Sequence, residues 1–294
     1  MFLFGKKIKT LSLVDRYLIP PFNVFDMTKR YWLKRRHYWL NLGIQSDIRS
    51  NVKSKVYNTD TIKFKKIKFH LVFDPVLCEV IYNWFVPKGG KILDPFAGDC
   101  VRGIVASYLG FKYVGIDLNP VQIEENIKKA KKICNGNKFM PRWILGDSFE
   151  VDKILEDDDF DFIFTCPPYF NLEIYTDNQS DLSNFKCYRK FLTRYKQIFN
   201  KCVKKLKMNR FVCLVVGDFR DELGFLRKFP CHNILIFSSL GFELYNRIIL
   251  LKPIGTLPIR TAINFKYRKL GNRYEEVLCF YRGDHKGLKE LFNE

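Results

Sequence analysis

Residues 161–170 read DFIFTCPPYF, a stretch that sets a cysteine, two prolines and a tyrosine just beyond a short apolar run. Phe162, Ile163 and Phe164 suit a buried strand, and Pro167 and Pro168 end any hydrogen-bonded ladder because neither has an N–H to donate. The ring of Tyr169 is therefore fixed at a strand end, which in an open α/β sheet faces the crevice where ligands bind. Taken alone, the same stretch also describes a strand stopped by a Pro-Pro turn with a surface tyrosine. The residues upstream decide between the two.

Residues 91–130 carry a second chemical pattern. Ile92 and Leu93 make a short strand ending in Asp94, the turn DPFAGDC leads through Gly98 into a helix from about residue 99 to 109, and residues 113–116 form the next strand, ending in Asp117. Asn119 and Pro120 then cap a helix running to about residue 133. This is a βαβ unit of dinucleotide-binding type, with an acid about twenty positions beyond the glycine turn, where a carboxylate accepts hydrogen bonds from both hydroxyls of a ribose. The turn, however, is not GxGxxG. Phe96 is bulky and Asp94 and Asp99 are acidic, which makes them poor neighbours for a pyrophosphate. A cofactor with a ribose and no phosphate fits better, and S-adenosylmethionine, with its cationic amino and sulfonium groups, is such a molecule. A third short strand over residues 143–145 is followed by Gly146, Asp147 and Ser148, which sets an acid where it can hold the amino group of an adenine.

The elements that must position these residues follow from the remaining pattern. Residues 73–85 predict an amphipathic helix opened by Asp74 at the N-cap and Pro75 at N1. After the CPPY strand come a long helix over residues 185–206, a fifth strand at 211–216, mixed loop and helix at 223–240, a sixth strand at 242–251 and a seventh at 275–281. The acidic stretch 150–161 has no histidine in a metal-ligand pattern, so no metal site is expected.

Composition narrows the setting. A chain of 294 residues with 47% hydrophobic and 28% charged residues can bury a sizeable core, most simply as one large domain with extensions. No run of eighteen apolar residues occurs, and MFLFGKKIKT is too short and too soon charged for a signal peptide, so a cytoplasmic, non-membrane protein is expected. Nine cysteines without a CxxC pair indicate neither a zinc site nor a disulfide framework. The net charge of +19 is concentrated: residues 1–70 hold sixteen Lys or Arg against four acids, and residues 252–273 hold six and no acid. Two basic appendages on a nearly neutral body suggest a polyanionic partner, although a merely solvated surface has the same composition. In the first appendage, residues 26–42 predict a helix whose bases, Arg35 and Arg36 among them, are candidates for phosphate contact, while Trp32 and Trp39 pack on the body. Residues 53–68 read as a linker. In the second, Arg260, Lys266, Arg268 and Lys269 interleave with Phe265 and Tyr267 in a connection longer than most.

Taken in order, DPFAG, GID, GDS and CPPY resemble the amino-methyltransferases of the DNA adenine-N6 and cytosine-N4 family. The phrases IPPFNVFD, YWLKRRHYWLNLGIQS, FDPVL and GTLPIRTAINFKYRKLG are similar to those of a group of phage and bacterial DNA methylases, so the resemblance covers nearly the whole chain. It implies an α/β, Rossmann-like class I methyltransferase with a seven-stranded mixed sheet, strands six and seven antiparallel, helices on both faces and a basic N-terminal extension. Its division would be an extension over 1–70, a methyltransferase domain over 71–285 with the basic loop 252–273 set into it for DNA recognition, and a tail over 286–294. The resemblance further implies that Asp94, Pro95, Phe96, Ala97 and Gly98 line the methionine end of S-adenosylmethionine. Asp117 with Leu118 would hold its ribose and Asp147 with Ser148 its adenine. Cys166, Pro167, Pro168 and Tyr169 would hold a base flipped out of double-stranded DNA. Family members commonly carry Asp, Asn or Ser where Cys166 stands, which leaves adenine and cytosine both open as the target. A covalent role for this thiol, as in cytosine-C5 methylation, is disfavoured because Thr165 rather than proline precedes it. Two other readings remain: an RNA amino-methyltransferase, and a DNA-binding homologue without activity.

Overall fold

The computed structural model describes residues 12–44, 73–155 and 159–292, with two-residue strand segments at Phe2–Leu3, Lys6–Lys7 and Lys53–Ser54. Apart from that last segment, the linker expected at 53–68 lies outside the described residues.

The apolar stretches become eight strands of one sheet. They are β1 (Val24–Asp26), β2 (Lys91–Asp94), β3 (Lys112–Asp117), β4 (Arg142–Leu145), β5 (Phe160–Thr165), β6 (Leu206–Val216), β7 (Glu243–Leu251) and β8 (Tyr274–Arg282). Their spatial order is β1-β7-β8-β6-β5-β2-β3-β4. β8 runs antiparallel to both β6 and β7, and the other neighbours in this sheet pair in parallel. Every residue of β5 is buried, as befits a parallel strand covered on both faces.

The expected seven strands are corrected to eight. The additional one is β1, whose Val24, Phe25 and Asp26 pair with Ile249, Leu250 and Leu251 of β7. Three residues are too few to display an alternating pattern, and this strand exists because a partner edge was available to it.

Helices cover both faces. α1 (Arg30–Asn41), α2 (Pro75–Phe85), α3 (Val101–Tyr108) and α4 (Pro120–Ile133) pack on one, and α5 (Tyr188–Cys202) and α6 (Phe229–Ser239) on the other. Local chemistry sets their starts. Asp74 accepts the N–H groups of Val76 and Leu77 at 2.9 and 3.1 Å ahead of Pro75, and Asn119 does the same for Val121 and Gln122 at 3.1 and 3.3 Å ahead of Pro120. α1 is tied to α2 by its two buried indoles. Trp32 donates to Asp74 at 3.3 Å and Trp39 to Glu79 at 2.9 Å.

Residues 252–273 are more ordered than a loop. They contain α7 (Leu257–Asn264) and a 3₁₀ turn (Phe265–Tyr267), and the neck is closed by the Lys252 N–H donating to the Arg273 carbonyl at 2.9 Å. Neither helix has a buried residue, so no apolar stripe marked them in the sequence.

Candidate functional site

The switch in strand order lies between β5 and β2, and the residues singled out by the sequence follow one another along the carboxyl edge beside it. From β4 inward the edge carries Asp147, Asp117, the Asp94–Gly98 turn and then, across the switch, Cys166 to Tyr169. The distances show which of these side chains shape the edge and which are presented on it.

Asp94 shapes it. It is fully buried, and its carboxylate receives the Arg102 Nε at 2.5 Å, the Tyr113 hydroxyl at 2.7 Å and the Phe96 N–H at 3.2 Å. Arg102, equally buried, sends its other nitrogens to the carbonyls of Phe96 and Ala97 at 2.8 and 2.7 Å. Burial works against the guanidinium charge, and the adjacent Asp94 carboxylate together with Tyr113, Asp99 and Cys166 more than offsets it. The turn is thus wrapped around an internal ion pair whose loss would leave one charge buried and unpaired. The sequence did not disclose Arg102 in this role. Its only signal was an arginine inside an otherwise apolar helix, eight residues beyond a strand-ending acid.

Asp117 closes the same turn from β3. Its two carboxylate oxygens accept the N–H of Gly98 at 2.8 Å and of Asn119 at 2.8 Å. Gly98 holds φ +51°, a region where glycine carries no steric cost, and its carbonyl accepts the side-chain amide of Asn126 at 2.8 Å. Burial pushes the Asp117 carboxyl up to about 6 in spite of these two donors. Each oxygen retains a lone pair for a hydroxyl donor, so Asp117 suits a ribose. Leu118 is half-buried beside it.

Asp147 accepts the Phe149 N–H at 2.9 Å and faces the Arg194 guanidinium at 3.5 Å, which in turn lies 3.3 Å from the centre of the Phe149 ring. Ser148 donates to the Pro95 carbonyl and so ties this loop to the glycine turn. Phe96 leans away onto α5, parallel to Tyr195 at 6.3 Å. A separate cleft of about 390 Å³, lined in part by Lys190, Thr193 and Gln197, runs along α5 and shares Arg194 with this edge.

Across the switch, Pro167 is buried and Cys166, Pro168 and Tyr169 are half-buried. The Tyr169 hydroxyl reaches the Val215 carbonyl at 3.3 Å and the Cys166 sulfur at 3.9 Å. Burial and the neighbouring thiol hold this phenol well above its usual range, so it is neutral. Its ring lies nearly parallel to Phe219, at 10° and 6.3 Å, with Phe229 tilted against both. Phe219 and Phe229 were not among the residues singled out, since a lone phenylalanine after a strand carries no pattern.

The two sets of basic residues part company. Arg35 pairs with Glu79 at 2.7 Å and Arg36 with Asp74 at 3.5 Å, both holding α1 to α2. Arg260, Lys266 and Arg268 are exposed and Lys269 half-buried, on a segment that leaves the sheet at the same carboxyl edge as the CPPY turn. No group of acids, histidines and cysteines able to hold a metal occurs among the described residues, and no described helix is long and apolar enough to cross a membrane.

A mixed sheet of this order, with acids closing β2 and β3, another just beyond β4 and a Pro-Pro-Tyr after β5, has the architecture of the class I methyltransferase fold. Within that class, residues 160–293 match the family of N6/N4 methyltransferases described as DNA methylase, and the resemblance carried by the motifs is borne out there. A curated relative, the type II beta methyltransferase M.BslI of a Bacillus species (strain NEB-606), is 32% identical over 115 residues. That alignment takes in 36% of this chain and 12% of the relative, so the chain spans a small part of that protein's length. Two solved structures are loosely similar. An S-adenosylmethionine-dependent methyltransferase of Methanosarcina mazei has 14% identity and a TM-score of 0.48, over 69% of this chain and 97% of its own. The magnesium protoporphyrin IX methyltransferase of Synechocystis has 11% identity and a TM-score of 0.47, over 85% and 96%.

Proposed function

We propose that this protein methylates the exocyclic amino group of adenine (N6) or cytosine (N4) in a base flipped out of double-stranded DNA. The observation that carries the reading is the CPPY turn of residues 166–169 set directly across the switch point from the Asp117 and Gly98 pair, within a segment matching the DNA methylase family. When bound, S-adenosylmethionine supplies an electrophilic methyl group. Asp117 would hold its ribose and Asp147 its adenine, while the Asp94–Arg102 pair keeps the glycine turn in shape beside its methionine end.

The chain's own residues have a positioning task. An exocyclic base amine is a poor nucleophile because its lone pair is delocalised into the ring. The Pro167 carbonyl accepts one amine proton and position 166 faces the other, which turns the lone pair outward; the gain is mainly one of orientation. Cys166, a weak acceptor, contributes less here than a carboxylate would. Tyr169, held neutral and anchored on Val215, offers a ring on which a flipped base stacks. The exposed bases of residues 252–273 would meet the phosphates of the same duplex. Nine cysteines, none of them in a disulfide, suit the reducing cytoplasm of a bacterium or a phage-infected cell.

The test is transfer of labelled methyl to unmodified duplex DNA, followed by mass spectrometry of the nucleosides. N6-methyladenine or N4-methylcytosine is the expected product, absent with Tyr169→Ala. Methyl appearing only on RNA would move the substrate to that class. A protein that binds DNA but not the cofactor by calorimetry would overturn the enzyme reading.

A further inference from the structure

Beyond β6 the chain passes Gly217, Asp218 and Phe219 and folds into a tight hairpin. Arg220 and Leu226 bridge its two arms. Inside it, the Asp221 N–H donates to the Phe225 carbonyl at 2.8 Å, the Gly224 N–H to the Asp221 carbonyl at 3.0 Å, and the Phe225 N–H to the Asp221 carboxylate at 2.9 Å. The Arg220 guanidinium takes the Gly224 carbonyl at 2.8 Å, and the Arg227 N–H closes the base on the Phe219 carbonyl at 2.9 Å. These bonds satisfy the turn from within and make it stiff.

At the end of this stiff turn two large apolar side chains stand in solvent, Leu223 at 82% and Phe225 at 70% exposure. An exposed apolar residue on its own asks for no explanation. This pair differs in its setting. The hairpin grows straight out of Phe219, the ring parallel to Tyr169, so its position is fixed relative to the target pocket. Two cations reach its tip, while of its own two acids Asp221 is engaged by the Phe225 N–H and Glu222 is exposed beside Leu223. Arg220 lies across it, and the Lys269 ammonium comes from the basic segment to within 2.6 Å of where a Cβ on Gly224 would stand.

A duplex meets both demands, since it carries phosphates outside and apolar stacked faces within. We infer that residues 220–226 form a wedge that enters DNA beside the extracted base, with Leu223 and Phe225 as the inserted side chains. Apolar side chains pushed between base steps offset the cost of unstacking, and an extruded base leaves such a gap. Arg220 and Lys269 then meet the flanking phosphates. The inference rests on the amino-methyltransferase reading above.

The experiment starts from the methylated positions that the wild-type protein produces on unmodified genomic DNA, which give a synthetic duplex carrying the site. On that duplex the double variant Leu223→Ser with Phe225→Ser should lose about tenfold or more in kcat/KM. Replacing the nucleotide opposite the target base with an abasic residue removes the pairing to be broken, and should bring the variant to within about threefold of wild type. S-adenosylmethionine binding by calorimetry should be unchanged. Matched-duplex activity within about twofold of wild type, or a loss that the abasic partner fails to restore, would overturn the wedge. Silence of the wild type itself on genomic DNA would instead remove the reading beneath it, a result visible before any variant is made.

Discussion

Two stretches of this chain look alike in composition, each mixing arginine and lysine with aromatic residues, yet the fold uses them in opposite ways. In α1 the tryptophans are buried and Arg35 and Arg36 face acids of α2, so charge and rings together serve cohesion. In residues 252–273 the rings of Phe265 and Tyr267 are exposed, and Arg268, Lys266 and Lys269 lie over them at 4.9 to 5.5 Å, with no buried residue in either helical turn. The deciding factor is whether acids from elsewhere come within reach. Asp74 and Glu79 do so for α1, whereas in residues 252–273 an acid is met at the neck, where Lys252 pairs with Glu275, and not along the helical turns that carry Arg268 and Lys269. A local count of charge therefore ranks the two stretches alike, and only tertiary pairing separates them.

The contrast can be broken most forcefully from the cohesive side. Trp39→Ala removes a side chain 2% exposed and a donor to Glu79, and should cost ~3–5 kcal/mol in urea unfolding. DNA affinity of the folded protein at low temperature should survive. Next comes the opposite region, where Arg268→Glu combined with Lys269→Glu should weaken DNA binding by roughly one to two orders of magnitude and flatten the slope of log K against log salt by about two. Stability should move by no more than about 0.5 kcal/mol, since Arg268 is exposed and Lys269 only half-buried on a segment without buried residues in its helical turns. If the double charge reversal leaves the salt slope unchanged, residues 252–273 are not the polyanion-binding face.

A smaller effect is expected from Arg35→Ala. Its partner Glu79 has a side chain only 10% exposed and Arg35 one 30% exposed, so the loss should be ~1–2 kcal/mol, less than for a fully buried pair, with no change in salt slope. The last prediction concerns a carboxylate belonging to neither region. Asp117 sits at about 6 in the fold against 3.8 for an ordinary aspartate, so its contribution to stability is complete below 3.8 and lost as pH rises through 6. Cofactor binding should run the other way, because two ribose hydroxyls need an ionised acceptor. Calorimetry should find S-adenosylmethionine bound about tenfold more weakly at about pH 5 than at neutral pH. Asp117→Asn should abolish that dependence, and a flat profile in the wild type would remove Asp117 from the cofactor site.

Much of the framework was legible in the chain because it obeys local rules. Asp74-Pro75 and Asn119-Pro120 announce helix starts that the backbone respects, and the acids at 94, 117 and 147 mark strand ends at one edge. What stayed hidden depends on partners distant in sequence. β1 is a strand only because β7 offers an edge, α7 has no apolar face to reveal it, and Asp94 turned out to hold Arg102 and Tyr113 inside the fold. Phe219 and the hairpin after it gain meaning from the ring of Tyr169, fifty residues earlier.

The three-residue strand β1 has one more consequence. β7 spans nine residues, and without a neighbour on its far side it would show solvent a row of unpaired amides and carbonyls, a template on which other chains can assemble. β1 covers the end of that row that includes Leu250 and Leu251, and it is itself too short to recruit a further strand. Phe25 at its centre is fully buried, so the guard is held in place by the core it protects. A chain shortened to begin after residue 29 would keep every pocket residue and lose this guard, leaving the whole outer edge of β7 open to pairing with other chains.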